Sequence, residues 1–397
     1  MKRSFSTSIS TDEGLRSTTG TPFSCIQIFR DFDRDKNFVY SPCSIQLALS
    51  LVANGAIGST SQVLLKFLEA DNHQQLKSRA SKLISALTRS NNEGVKLSFV
   101  GGVWVDESMK LTQNFNADAE TIYKAKAEEV DFKKNAKEMI TTVNQWAAEC
   151  TNGLIDSLLP EGSIDEDTRV VLANALYFKG KWSCPFEKKI TRDSKFYLQG
   201  GGSLKVPFMS NYSERQYIET FNTLKVLRLP YKGTSLSMYI LLPNERDGLG
   251  SLVEEVTSNS LSFGEYTSSM KKYVRVGRFR VPKFKINYEF EASDVLKAMG
   301  LGLCFSDDAK FNEMVVNGGI KVDKVYHKSH IEVEEEGTEA AASTAVVMRS
   351  LGCCAPYRPP PEIPVDFVAD HPFIYVVKDD MNGMVLFMGH VVNPSLK

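Results

Sequence analysis

The chain has 397 residues, 42% of them hydrophobic, which is enough apolar surface for a large core and excludes a wholly disordered protein. Its 47 basic and 48 acidic residues nearly cancel, so net charge gives no general attraction to nucleic acid or to an anionic membrane. On length alone, two or three domains are expected at roughly 150 residues each.

The N-terminal third of the chain is predicted to be mainly helical. Residues 1–20 are rich in Ser and Thr and predict a flexible tail. The tail has a basic start but no apolar stretch, so we expect no signal peptide and a cytoplasmic or nuclear location. A helix is predicted over Phe23–Phe32, and Ser41-Pro42 is a typical helix start ahead of a buried helix over Ile45–Ala56. Polar helices follow, through about Thr88.

Strands dominate the later part of the sequence. One helix is predicted over Met139–Ile155 with a stop at Asn152-Gly153, and a second, short one over Asp294–Leu301. Gly200–Gly202 is interpreted as a hairpin turn. The predicted strands are Leu97–Val105, Val170–Phe178, Lys205–Met209, Lys225–Leu229, Leu236–Leu242, Arg280–Phe290 and much of the last thirty residues. This order favours an α+β fold over a βαβ repeat.

Motifs for catalysis, metals and nucleic acid are weak. The five histidines form no HExxH, and neither GxSxG nor a phosphate-binding loop occurs, so we do not expect an enzyme. The seven scattered cysteines lack a CxxC pair, which disfavours a metal site and fits a reducing compartment. The basic stretch Lys271–Lys285 is better explained by solvated strand faces than by a nucleic-acid surface. Five cysteines are expected to be small buried hydrophobes: Cys25, Cys43, Cys150, Cys184 and Cys304.

The segment Glu334–Gly352 has an unusual composition. Three acids lead into Gly337 and then a run of small residues, which also has a period of two with an uncharged face that begins at Thr338. Such a face suits a strand that slips between two existing strands, because small residues offer little steric resistance. Taken alone, the segment is explained better by a flexible loop or an ordinary helix.

Five ordered segments spread over most of the chain form a specific pattern. They are Asn37–Ile45, Val143–Trp146 with Thr151–Ile155, Asn174–Trp182, Glu336–Ala342 and Phe367–Phe373. In this order they resemble the serpin family, and most closely the plant serpins. The resemblance implies one domain over residues 21–397, with about nine helices, three β-sheets and an exposed reactive-centre loop at about 337–358.

The resemblance also implies a suicide-substrate inhibitor of serine proteases, with papain-like cysteine proteases as a second target class. The loop is cleaved, an acyl-enzyme forms, and the loop inserts into the main sheet before the protease can deacylate. A monomer without cofactor, metal, nucleic acid or membrane partner is expected. The alternative is a non-inhibitory serpin that acts as a storage, carrier or chaperone-like binding protein.

The reactive bond is assigned by counting along the loop. In the family it usually follows the fourteenth residue after the hinge glycine, which gives Leu351-Gly352 and suits chymotrypsin-like or elastase-like proteases. Arg349-Ser350 is the alternative and would suit trypsin-like or Arg-preferring papain-like proteases. The hinge that must insert comprises Glu336, Gly337, Thr338, Glu339, Ala340, Ala341, Ala342, Ser343 and Thr344.

Further positions carry over from the family motifs. The polar cluster that controls opening of the main sheet corresponds to Ser41, Ser44, Asn174 and His327, and Trp182 corresponds to the tryptophan at the top of that sheet. His371 is expected to anchor a strand and a turn. Cys353 and Cys354 follow the reactive bond, where oxidation could affect them. Residues 60–82 mix Lys and Arg with acids, so a polyanion cofactor is not supported.

Overall fold

Nine α-helices occur in the described part of the chain. The computed structural model describes residues 20–89, 94–268, 272–316, 319–336 and 362–396. The helices are α1 Phe23–Gln27, α2 Pro42–Asn54, α3 Gly58–Phe67, α4 His73–Arg89, α5 Gln113–Thr121, α6 Phe132–Cys150, α7 Leu249–Ser258, α8 Ser260–Tyr266 and α9 Ser293–Leu296. Six of the nine lie before residue 151, as the sequence predicts.

The strands of the described ranges number fifteen. They are β1 Phe38–Tyr40, β2 Val95–Asp106, β3 Lys126–Val130, β4 Val170–Gly180, β5 Arg192–Tyr197, β6 Ser203–Met209, β7 Arg215–Thr220, β8 Leu224–Pro230, β9 Leu236–Pro243, β10 Tyr273–Pro282, β11 Phe284–Glu291, β12 Lys324–Val333, β13 Val365–Val368, β14 Phe373–Asp379 and β15 Val385–Val391. The combination with nine helices confirms the predicted α+β class.

The strands divide into a five-stranded sheet and a larger sheet made of two parts. The five-stranded sheet has the order β11-β12-β4-β2-β3. The larger sheet runs β1-β15-β14-β9-β8-β7-β10-β6-β5, and β13 also pairs with β10. Strand β10 joins the two parts, because its first residues pair with β7 and its last residues pair with β6. Counting these parts separately gives the three sheets that the family resemblance implies.

Helix α2 fixes one face of the five-stranded sheet. The Ser41 hydroxyl accepts from the Ser44 backbone N–H at 3.2 Å, and Pro42 occupies the first turn, as predicted for this helix start. All but two of its 13 residues are buried, since the helix packs between β4 and β15. Helix α6 covers the opposite face, where Val143 and Ala147 share a core cluster with Val171 and Ala173 of β4. The sheet is therefore buried on both faces at its centre.

Two sequence predictions of element boundaries are wrong. The predicted strand Arg280–Phe290 is two strands that belong to different sheets, and the break falls at Pro282, whose missing N–H cannot continue a ladder. Within β11 the predicted alternation holds, because Phe284 and Ile286 are buried. The helix predicted to start at Met139 begins earlier, at Phe132. Its predicted stop at Asn152-Gly153 agrees with the structure, because α6 ends at Cys150 and Asn152 and Gly153 follow with φ of 53° and 74°.

The expectation for the cysteines is also partly wrong. Cys25, Cys43 and Cys304 are buried free thiols, but Cys150 and Cys184 are exposed. Cys150 is the last residue of α6, and Cys184 lies in the connection that follows β4. Both positions are at ends of elements on the surface, where residue type alone does not determine burial.

Candidate functional site

The candidate site is the seam between β4 and β12 at the centre of the five-stranded sheet. These two strands are parallel and directly hydrogen-bonded, with the register Lys324↔Val171 through Ile331↔Phe178 and His327 opposite Asn174. β12 ends at Val333, and the described chain stops three residues later at Glu336. The seam therefore leads directly to the start of the segment that the sequence identifies as unusual.

Four polar residues predicted as a group do meet beneath this seam. Ser41 and Ser44 come from the start of α2, Asn174 from β4 and His327 from β12, and all four are at most 1% exposed. Asn174 Oδ1 accepts from the Ser44 hydroxyl at 2.7 Å and lies 2.5 Å from His327 Nδ1. The Ser41 backbone N–H donates to His327 Nε2 at 2.9 Å. The cluster thus ties both strands of the seam to each other and to α2.

The protonation state of His327 follows from its partners. A backbone N–H can only donate, so Nε2 must accept from Ser41, and the ring proton must be on Nδ1. Nδ1–H then donates to Asn174 Oδ1, which fixes the orientation of that amide. Burial lowers the pKa of His327 to about 3, so the ring is neutral at physiological pH.

One member of this cluster was missed by the sequence prediction. The Ser329 hydroxyl lies 2.8 Å from His327 Nε2 and is fully buried. Because Nε2 is an acceptor, Ser329 donates to it. The available signal was its position two residues after His327, which places both side chains on one face of β12.

Trp182 lies at the end of the seam, where β12 leaves the sheet. Its indole Nε1–H donates to the Glu334 carbonyl at 2.8 Å, and its backbone N–H donates to the Glu336 carbonyl at 3.3 Å. The indole stacks on Tyr231 at a centroid distance of 4.5 Å. Trp182 is therefore both a core aromatic residue and a direct anchor of the chain that follows β12.

Glu335 forms a second anchor, which the sequence did not identify. Its side chain is 3% exposed and receives Lys283 Nζ at 2.6 Å and the Thr191 hydroxyl at 2.8 Å. Burial works against the charged carboxylate, but the bonds from Lys283 and Thr191 outweigh it and lower the pKa of Glu335. Its backbone carbonyl also accepts from the Phe186 N–H at 2.8 Å. The only signal in the sequence was the run of three glutamates at 334–336, and it gave no reason to expect that Glu335 is the buried member.

The remaining predicted loop residues lie outside the described ranges. These are the hinge from Gly337 to Thr344, both candidate bonds Leu351-Gly352 and Arg349-Ser350, and Cys353 and Cys354. Of the predicted hinge, only Glu336 is described, and it forms an ion pair with Lys188 at 2.6 Å. The chain resumes at Glu362, which forms an ion pair with Arg215 at 2.5 Å.

The other chemical features found in the sequence have structural partners. His371 Nε2 contacts the Pro243 carbonyl and its Nδ1 contacts Asp370, both at 2.8 Å, so this histidine ties the turn before β14 to the end of β9. In the basic stretch, Lys272, Arg278, Lys283 and Lys285 each form an ion pair with an acid. Across the residues with described positions, no group of three or more His, Cys, Asp or Glu could hold a metal ion, and no helix has the length and apolar character to cross a membrane.

Comparison with known proteins identifies relatives over almost the entire chain. A family model described as "Serpin (serine protease inhibitor)" matches residues 19–394. Serpin-ZXA of Oryza sativa subsp. japonica is 45% identical over 371 residues, which is 91% of each chain. Serpin-ZX of Arabidopsis thaliana is 39% identical over 91% of this chain and 93% of that one.

Comparison with solved structures also finds members of the serpin family. The native stressed conformation of Arabidopsis AtSerpin1 superposes with a TM-score of 0.84 at 36% identity, covering 94% of this chain and 97% of that chain. Uncleaved ovalbumin superposes with a TM-score of 0.79 at 25% identity, covering 95% of this chain and 99% of that chain. These similarities extend well beyond the β4–β12 seam and involve the whole fold.

Proposed function

This chain belongs to the serpin family, and we propose that it is a suicide-substrate inhibitor of serine proteases that traps them by inserting its cleaved loop into the β4–β12 seam. The single observation that carries the proposal is that seam: two parallel neighbours at the centre of a sheet, with the loop starting at the end of one of them. The likeness to a plant serpin in its native stressed conformation supports the same interpretation.

The direction of the strands makes insertion geometrically simple. A chain that leaves the end of β12 at Glu336 and turns back would run antiparallel to β12, and therefore antiparallel to β4 as well. The new strand would replace one parallel ladder with two antiparallel ladders, which are slightly more stable per residue. Fourteen inserted residues would add roughly 46 Å of strand at about 3.3 Å each. At a net 0.5 kcal/mol per added bond, the gain is on the order of several kcal/mol.

The chemistry requires cleavage first and insertion second. The protease nucleophile attacks the carbonyl of the residue before the scissile bond, the amide bond breaks, and the new amine leaves while the acyl group stays on the protease. Insertion then carries the acyl-enzyme to the far end of the sheet. We assign the scissile bond to Leu351-Gly352, with Arg349-Ser350 as the alternative, and the protease class follows from which bond is cut.

The side chains around the seam have distinct parts in this proposal. Ser41, Ser44, Asn174 and His327 hold β4 and β12 together until insertion separates them. Trp182 and Glu335 hold the start of the loop at the top of the seam: the backbone carbonyls of residues 334–336 accept three hydrogen bonds, and the Glu335 carboxylate accepts two. The hinge residues after Gly337 are small or uncharged on the face that would enter the sheet. We further propose that residues 21–397 act as one domain and one monomer in a reducing compartment, and that papain-like cysteine proteases are a second target class.

The test is to incubate the full chain with chymotrypsin, trypsin and a papain-like protease and to analyse the products on denaturing gels. We expect a covalent adduct that resists denaturant and a small C-terminal fragment. The mass of the fragment distinguishes a cut after Leu351 from one after Arg349. Cleavage by every protease with full retained protease activity and no adduct would contradict the proposal and favour a non-inhibitory serpin.

A second measurement tests insertion itself. The melting temperature of the chain is compared before and after cleavage of the loop by a protease that is then removed. Insertion predicts a marked rise, because the central sheet gains a strand. An unchanged melting temperature would mean that the cleaved loop stays outside the sheet.

A further inference from the structure

A histidine outside the polar cluster also contacts β4 across the seam. His330 on β12 is paired in register with Tyr177 on β4. The two rings stack, with their centroids 5.1 Å apart and their planes tilted by 12°. Tyr177 is 6% exposed, and His330 is half-buried. A stacked ring pair stabilises a fold beyond the area that it buries, so the seam has a second side-chain contact besides the polar cluster.

The stack lies on the opposite face of the sheet from the polar cluster. Side chains alternate along a strand, and His327 and His330 are three residues apart, so they point to different faces. Asn174 and His327 both bond to the start of α2. Tyr177 instead shares a core cluster with Val143 of α6. The seam is therefore held from both faces, by the polar cluster on the α2 side and by the stack on the α6 side.

The stack is also nearer to the loop than the polar cluster is. Strand β12 ends at Val333, three residues after His330. His327, the member of the polar cluster on the same strand, lies three residues further from that end, which is roughly 10 Å along the strand. A strand that enters the seam from the loop end would therefore reach the Tyr177–His330 pair first.

The surroundings of the imidazole keep it uncharged. Burial lowers the pKa of His330, and Lys285 lowers it further. Glu332 opposes this shift, whereas Lys328 and Lys179 add to the lowering. The ring is therefore neutral at pH 7, and the stack is a contact between two uncharged rings, whose strength depends on their separation and overlap.

We propose that Tyr177 and His330 are positioning residues, an outer clasp that slows the separation of β4 and β12 and so helps to set the rate of loop insertion. The link to insertion rests on the proposed function. Neighbouring strands are about 4.8 Å apart, so an inserted strand would move the two rings to roughly 10 Å, beyond the ~7 Å within which aromatic rings interact. A polar cavity lined by His330, Asn287 and Lys328 gives the imidazole room to turn away as the strands part.

A double-mutant cycle tests whether the clasp exists only in the closed seam. Tyr177→Leu, His330→Leu and the double variant are unfolded in denaturant, both uncleaved and after cleavage and insertion of the loop. In the uncleaved chain we expect a coupling of about 2- to 12-fold in the unfolding equilibrium constant. In the cleaved chain the coupling should vanish, because the rings are then apart. A role in general packing would give the same coupling in both forms, and that result would overturn the proposal, as would no coupling in the uncleaved chain.

The kinetic test measures how fast the covalent adduct appears at saturating protease, by rapid quenching and denaturing gels. Tyr177→Leu and His330→Leu should each speed up this step by about 2- to 10-fold. Tyr177→Phe keeps the ring and should stay at the wild-type rate. Lys285→Met is the matched control, because it removes a contact between β11 and β12, which do not separate, and it should leave the rate unchanged. Leucine variants at the wild-type rate, or a phenylalanine variant as fast as they are, would contradict the clasp.

The two tests separate failure of the clasp from failure of the proposed function. The coupling in the uncleaved chain needs no protease, so a wild type that forms no adduct with any protease would refute the proposed function alone. A wild type that forms adducts but has no coupling between Tyr177 and His330 would refute the clasp alone. If Tyr177→Leu does not fold, the comparison of His330→Leu, at a half-buried position, with Tyr177→Phe gives the kinetic answer.

Discussion

Replacement of Lys283 by methionine tests the anchor at the start of the loop. Lys283 Nζ lies 2.6 Å from Glu335, whose side chain is 3% exposed, so the variant leaves a buried carboxylate with only Thr191 as a side-chain donor. Removing one partner of a fully buried ion pair destabilises proteins by about 3–5 kcal/mol. Because Lys283 itself is 32% exposed and Thr191 still donates, we expect a loss of about 2 kcal/mol.

The assay is thermal and denaturant unfolding of the uncleaved chain at pH 7, where a loss of 2 kcal/mol corresponds to about 2–3 °C in a protein of this size. Lys285→Met is the matched control. It removes the neighbouring ion pair between Lys285 and Glu332, whose N–O distance is 3.5 Å. Because Lys285 is 44% exposed, the loss in unfolding free energy should be less than about 1 kcal/mol. The double variant Lys283→Met/Glu335→Gln should recover at least half of the loss, because no buried charge remains.

The pH dependence of this stability loss tests whether the charge on Glu335 is responsible for it. The pKa of Glu335 is lowered in the fold, so its contribution is fully present above the unfolded value near 4.3 and is lost as pH falls through the lower folded value. The difference between wild type and Lys283→Met should therefore persist at pH 7 and shrink below about pH 4. Equal losses for the Lys283 and Lys285 variants, or a difference that does not depend on pH, would show that the buried pair is not what stabilises this anchor.

Four further changes have defined outcomes. Thr338→Arg places a charge on the face that must enter the sheet, so cleavage should persist while the covalent adduct is lost; adducts at the wild-type ratio would disprove insertion. Leu351→Arg should shift adduct formation from chymotrypsin to trypsin, and an unchanged preference would place the cut elsewhere. Burial lowers the pKa of His327 to about 3 and that of His390 to about 4. Each histidine should therefore make the unfolding free energy fall by about 1.4 kcal/mol per pH unit as pH drops from 6 to 4. His327→Gln should remove one of these two contributions, and an unchanged pH slope of stability in the variant would contradict a neutral, buried His327. Burial lowers the pKa of Lys378 to about 8, so stability should rise with pH above 8, and Lys378→Met should gain about 1–2 kcal/mol at pH 7; a loss would refute this.

Local signals in the sequence predicted those elements whose cause is local. The start of α2 depends on Ser41 and Pro42, which act within one turn, and the structure confirms both. The turn at Gly200–Gly202 was found for the same reason, because all three glycines have positive φ. Strands β4, β8 and β9 were recognisable as apolar runs between turns, since they are buried along most of their length.

Elements stabilised by distant partners were not predicted. Strand β3 has the sequence KAEEV, in which four of five residues are only partly buried, and it exists because it pairs with β2. Helices α7 and α8 are short and separated by a single residue, so neither gives a long periodic pattern. The strand predicted over Arg280–Phe290 continued through Pro282, whereas the sheet pairings show that β10 ends there and that β11 begins at Phe284 in the other sheet.

The candidate site illustrates the same limit. Ser41 and His327 are 286 residues apart, and Asn174 and His327 are 153 apart, so no window of the sequence contains the cluster. The family resemblance supplied these positions, and the structure brings them together. It did not supply Ser329 or the Lys283–Glu335 pair, which become evident only when the side chains are placed.

Strand insertion must also compensate for the hydrogen bonds of the polar cluster that it would break. Neighbouring strands are about 4.8 Å apart, so a strand placed between β4 and β12 would double their separation and break the bond from His327 to Asn174. Losing this bond and the ladder of the seam would oppose insertion, each bond by about 1 kcal/mol. Two new ladders of similar length would more than compensate, so the closed sheet can be the less stable state and still persist. Under the proposed function, the cluster beneath the seam would determine how fast the sheet opens, and the two ladders would keep the inserted strand in place.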